Sequence, residues 1–241
     1  MRTLRACCFE GILVFGMVLS LLTTALAAET SDSSDRLPMF GQPKLARTPS
    51  QKQADEAFIR DNTLRYKSRQ GASNAFAAQG WTAVRAKQLD AAMLRFNHAW
   101  LLNPKNYSAF WGFGAILSER GRLLEAIEHL ETARELIDDP AQRPALLADL
   151  GNVHSEYAAR LGADKQLERA HHFVMANSRF TESLENDPRF ASGWREWAIS
   201  LYDQERYSEA WVKAKRARDL KAEPFPPEFL KKLSAKMPEP K

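Results

Sequence analysis

The sequence predicts an all-α chain built as an array of about four helical hairpins, with a helix before the array and a capping helix after it. Three observations predict this. After Gly71 no stretch of useful length alternates apolar and polar residues as a half-buried strand would. A pattern of large and small residues recurs at one spacing in separate blocks. Small residues fall at matching positions within those blocks, where two helix axes could come close. The chain of 241 residues is 44% hydrophobic and 27% charged, so it can bury a core.

The N-terminus reads as a secretory signal over residues 1–27. Arg2 and Arg5 precede an apolar run from Gly11 to Leu22, and Ala25-Leu26-Ala27 forms a small-residue cleavage site, with the cut expected before Ala28. The apolar run is short for a membrane span of roughly 20 residues, and Glu10 limits it on its N-terminal side. The chain has two cysteines, Cys7 and Cys8. Both precede the apolar run, which argues against a lipoprotein. The mature chain would then lack disulfides, a thiolate nucleophile and cysteine-ligated zinc. These features point to an exported protein, in the periplasm of a Gram-negative bacterium. A membrane attachment would come only through an uncleaved signal.

Residues 28–50 are rich in Ser, Asp, Pro and Thr and read as a flexible leader, apart from the apolar Leu37-Pro38-Met39-Phe40. Ser50, with Gln53 three residues on, forms a capping-box pattern, and Ala54, Ala57, Phe58 and Ile59 supply an apolar stripe. A helix is therefore expected over 51–72. Hairpins are expected near 73–106, 107–140, 144–190 and 191–222. Block one carries Phe76, Gly80, Ala92, Phe96, Ala99 and Pro104. Block two carries Phe110, Phe113, Gly114, Ala126, Leu130 and Ala133. Block four carries Trp194, Trp197, Ala198, Leu201, Ala210, Ala214 and Ala217. Block three matches with Leu147, Leu150 and Gly151, then Ala176, Phe180, Ser183 and Pro188, around an insertion near 160–174. Residues 223–241 hold a capping helix and tail, with Pro226-Pro227 at the start and Phe229, Leu230 and Leu233 on the buried face.

These blocks resemble the tetratricopeptide repeat, whose period is about 34 residues and whose pattern alternates large and small side chains across two helices. The resemblance covers Ser73 to Ala222. Gln88 and Glu205 stand where the family's turn glycine is usual. The resemblance implies a right-handed superhelical array whose first helices line a concave surface. It places Asn74, Trp81, Arg85, Trp111, Ser118, Asn152, Ser155, Arg195 and Tyr202 on that surface. Trp81, Trp111 and Tyr202 would be apolar anchors, and Asn152, Arg85 and Arg195 would supply hydrogen bonds, for a peptide segment or partner protein. Alternatively, Trp81 and Trp111 pack on each other, on the leader or on an extended helix.

Other functions find little support. The formal charge of +4 is mild and acids interleave with bases, so no nucleic-acid partner is expected. The basic run Lys213, Lys215, Arg216 and Arg218 reads as a solvated outer face. His98, His129 and His154 fall in separate helices, and His171 and His172 point apart on one helix, so no metal site is expected. His154, His171 and His172 could meet only across block three. Neither a serine-hydrolase elbow nor a phosphate-binding glycine loop is present, and no enzyme activity or cofactor is expected. Besides a general binding scaffold, the pattern allows an immunity or inhibitor protein for one cognate effector, or a membrane-held envelope or secretion assembly factor.

Overall fold

The computed structural model describes residues 47–240. The signal expected over 1–27, and the leader up to residue 46 with its Leu37–Phe40 segment, lie outside the described residues. Among the described residues the chain forms ten α-helices, packed in adjacent pairs, and no strand. They are α1 (Pro49–Arg65), α2 (Arg69–Arg85), α3 (Leu89–Leu102), α4 (Tyr107–Glu119), α5 (Leu123–Leu136), α6 (Arg143–Arg160), α7 (Gln166–Asn186), α8 (Ala191–Asp203), α9 (Tyr207–Asp219) and α10 (Pro227–Lys236). The four hairpins are α2–α3, α4–α5, α6–α7 and α8–α9.

The first helix is capped earlier than the sequence suggests. The Thr48 hydroxyl accepts the Gln51 N–H at 3.2 Å, and Gln51 Oε1 accepts the Thr48 N–H at 2.9 Å. Pro49 then opens the helix, where its missing N–H goes unneeded. Thr48 and Gln51 are the capping box, in place of Ser50 and Gln53. The expected helix over 51–72 is also broken: α1 stops at Arg65, Lys67 turns at φ 61°, and Ser68 caps α2. The first hairpin therefore starts at Arg69, ahead of Ser73. Phe58 fixes α1 to that hairpin, its ring 5.5 Å from Phe76 and 4.6 Å from His98. Burial there, with Arg95 adding, lowers the His98 pKa to about 4.

One turn joins three of the hairpins. After α2, the Lys87 N–H reaches Val84 O and the Gln88 N–H reaches Ala83 O, both at 2.9 Å. Gly121 with Arg122, and Glu205 with Arg206, repeat the pair of bonds after α4 and α8. This closure requires a left-handed residue. Gly121 meets it at φ 74°, while Lys87 (58°) and Glu205 (60°) bear the cost of a side chain there. The residue in the glycine's place in block one is thus Lys87, with Gln88 following it. The α6–α7 pair is built differently: α6 and α7 are longer, and a single 3-10 turn, Ala163–Lys165, joins them.

The helices are held close by large side chains pressed onto glycines. A Cβ on Gly80 would lie 2.7 Å from the Phe96 ring, and one on Gly112 would lie 2.2 Å from it. Phe96 is fully buried between them, joining α3 to α2 and α4. Leu130 takes the same place against Gly114, where a Cβ would meet its Cγ at 2.5 Å, and Phe180 lies against Gly151 at 3.1 Å. Ala198 and Ala214, both fully buried, hold the corresponding positions in α8 and α9. Buried polar groups add direction. Ser73 Oγ donates to Ala99 O at 2.7 Å, and Asn106, which caps α4 through the Ser108 N–H, donates to Ser73 Oγ at 2.7 Å. At the far end Phe229 and Leu233 of α10 cover the α8–α9 core.

Gly112→Ala sets two effects against each other. Alanine favours an exposed helix over glycine by about 1 kcal/mol, but its methyl overlaps Phe96. Overpacking of about 1–3 kcal/mol should win, lowering the urea midpoint. Gln79→Ala on the exposed face of α2 should stay within about 0.5 kcal/mol. A midpoint that rises for Gly112→Ala would show that Phe96 does not fill this space.

Candidate functional site

A recess of about 1210 Å³ lies along α2 and α4 and under the loops that precede α4 and α6. Ala77, Ala78, Trp81 and Trp111 form its apolar floor. Asn74 and Arg85 of α2, Lys105 of the first loop, and Asp138 and Asp139 of the second stand around it. Four of the residues named from the sequence thus share one groove: Asn74, Trp81, Arg85 and Trp111. Ser118, Asn152, Ser155, Arg195 and Tyr202 are not among its lining.

The two indoles do pack together, edge to face, with centroids 5.2 Å apart at 71°. Trp81 also meets Phe96 edge-on at 5.4 Å. The Trp81 N–H donates to Ser108 Oγ at 2.9 Å, and the Trp111 N–H donates to Asp149 Oδ2 at 2.7 Å. Both indoles therefore have their one donor engaged by a neighbouring hairpin. Trp111 is only 8% exposed, which makes it a wall of the groove and part of the core, where the sequence suggests a free-standing anchor. Trp81, half-buried, is the more available of the two.

Arg195 and Tyr202 are engaged elsewhere. The C-terminal segment lies on them: Phe225 stacks under the Arg195 guanidinium at 5.7 Å, and Phe229 meets Tyr202 at 5.7 Å. Arg195 also donates to Glu196. The end of the array is thus closed by its own tail. Ser155 is buried within α6, while Ser118 and Asn152 are half-buried.

Asp149, one helical turn before Asn152 on α6, is the partner of Trp111 that repeat positions did not reveal. It is exposed, yet burial is the main influence on its carboxyl; the Trp111 N–H opposes that influence, the Glu196 charge adds to it, and the pKa rises to about 6.

The basic run on α9 divides. Lys215, Arg216 and Arg218 are exposed, but the Lys213 ammonium lies 3.8 Å from the Trp197 ring centroid and 5.0 Å from that of Trp194. Burial lowers its pKa, Arg206 adding and Glu209 opposing. Lys213 is part of the α8–α9 packing and not of a solvated face. The histidines meet in part: His154 Nδ1 and His172 Nδ1 are 2.9 Å apart, bridging α6 and α7. Among the described residues no group of three or more His, Cys, Asp or Glu side chains is placed to hold a metal.

Comparison of the chain with protein-family models and with curated proteins returns no match. No helix among the described residues is long and apolar enough to cross a membrane.

The carboxyl of Asp149 gives a pH signature. Its folded pKa lies above that of an unfolded aspartate, so its contribution to stability is fully present at acid pH and is lost as pH rises through about 6. Asp149→Asn stays neutral, and its amide oxygen still accepts from Trp111. Urea unfolding across pH should show the variant gaining on the wild type from about pH 4 to about pH 6, then holding a constant lead. A difference that does not change with pH would show that the fold does not raise the Asp149 carboxyl.

Proposed function

We propose that this chain is an exported repeat protein of the tetratricopeptide type, a scaffold that holds a peptide segment or partner protein in the groove along α2 and α4 and catalyses no reaction. The observation that carries this reading is the groove itself: an apolar floor with polar side chains around it, on helices whose spacing is fixed by buried wedges. The size suits a short extended segment, and aromatic floor residues are those that contribute most at interfaces. The signal-like N-terminus, read from the sequence, supports export to the periplasm.

Asn74 and Arg85 of α2 are exposed in the groove, and Trp81 is half-buried on its floor. The longer α6–α7 pair and the tail over Arg195 and Tyr202 limit the open stretch to the first two hairpins and the start of the third.

The test uses a substitution that fills the groove and spares the stack. Ala78 is exposed on the groove face of α2. Ala78→Tyr should leave the thermal midpoint within a few degrees of the wild type. Protein recovered from the cell envelope should then show, by mass spectrometry, a partner retained by the wild type and lost by Ala78→Tyr. A variant that keeps every partner would move the binding surface off this groove.

A further inference from the structure

The groove lining carries two cations and two carboxylates, but they are distributed differently. The chain as a whole is basic, with formal charge +4, and Lys215, Arg216 and Arg218 lie exposed on α9. The groove rim is different. Asp138 and Asp139 are consecutive on the α5–α6 loop, and among the described residues no ion pair engages either one. The Asp139 carboxylate accepts only the Ala141 N–H at 2.9 Å and a long contact from the Tyr107 hydroxyl at 3.5 Å. Their charge reaches Tyr107, whose pKa is raised by burial first and then by Asp139 and Asp138.

Two cations also stand at the groove, Arg85 and Lys105. They belong to different elements, the end of α2 and the α3–α4 loop, so they do not form a pair. Arg195 is tied to Glu196 and covered by Phe225. The two adjoining aspartates are therefore the one concentrated charge that meets the apolar floor. A ligand carrying positive charge would regain there the pairing the fold leaves open, and one apolar side chain would cover Ala77, Ala78 and Trp81.

We propose that the groove selects a basic peptide segment, one apolar or aromatic residue flanked by Lys or Arg, with the apolar residue on the Ala77–Ala78–Trp81 floor and a basic one against Asp138 and Asp139. This rests on the groove being the binding site. It excludes the opposite preference, for an acidic segment held by Arg85 and Lys105.

The test is fluorescence anisotropy on the full chain with three labelled peptides, Gly-Lys-Phe-Lys-Gly, Gly-Gln-Phe-Gln-Gly and Gly-Glu-Phe-Glu-Gly, each capped at both ends. The lysine peptide should bind at least tenfold more tightly than the glutamate peptide at low salt. The gap should shrink as salt shortens the screening length to about 8 Å at physiological ionic strength. The double variant Asp138→Asn, Asp139→Asn keeps the Ala141 bond through an amide oxygen, so the loop should hold. It should weaken the lysine peptide by roughly two- to thirtyfold, as expected for two exposed pairs, and leave the glutamine peptide unchanged. Equal binding of all three peptides, or tighter binding of the glutamate peptide, overturns the basic preference while the groove remains a binding site, provided Ala78→Tyr abolishes that binding. Failure of all three to bind overturns the groove reading itself.

Discussion

Phe96 is the side chain on which the arrangement of the first hairpins depends. It belongs to α3, but its ring fills space that glycines leave on two other helices, Gly80 on α2 and Gly112 on α4. A helix pair can approach this closely only where one side offers no Cβ, and a stack of pairs holds only if neighbouring pairs share a filler. Phe96 meets both needs. It also touches Trp81 from below, and Trp81 in turn meets Trp111. The floor of the groove is therefore set by the same ring that closes the first hairpin against the second. The groove is a consequence of the packing and is not carried on free loops.

The polar groups extend that order across the array. Asn106 joins the α4 cap to Ser73 on α2, and Trp111 joins α4 to Asp149 on α6. These bonds are directional where apolar contact is not, so they fix the rotation of each hairpin on the next. The far end is finished differently. Phe225 and Phe229 lie on Arg195 and Tyr202, covering the face that a further hairpin would otherwise bury. An array of this kind needs such a cover, because its last repeat has no neighbour.

Much of this was legible in the sequence. The all-α class and the pairing of helices followed from the recurrence of small residues, Gly80, Gly114, Gly151 and Ala198 on the first helices and Ala92, Ala126, Ala176 and Ala210 on the second, beside large ones such as Phe96, Leu130 and Phe180. The groove was legible only where it is built from first helices, at Asn74, Trp81, Arg85 and Trp111. Its rim was not, since Lys105, Asp138 and Asp139 come from loops whose course no periodicity describes. Gly112 escaped because it stands outside the repeating positions and gains its role from a ring on another helix. Lys213 looked solvated because a helical wheel cannot show that Trp194 and Trp197 rise beneath it. The caps were misplaced for a similar reason: Ser50 and Thr48 both begin acceptable boxes, and Pro49 decides between them by opening the helix one residue after Thr48.

The Phe96 wedge sets the indole pair that floors the groove. Two indoles held edge to face at this distance couple optically, so circular dichroism in the indole region reads their geometry directly. Trp194 and Trp197 form a second indole pair, 6.2 Å apart, so the Trp81–Trp111 contribution is the part of the coupled-indole band that Trp81→Phe removes. Phe96→Ala, measured at a temperature where the backbone signal shows the chain still folded, should lose that same part. A Phe96→Ala protein that keeps the band at wild-type strength would contradict the account, because the Trp81–Trp111 geometry would then be held without the wedge.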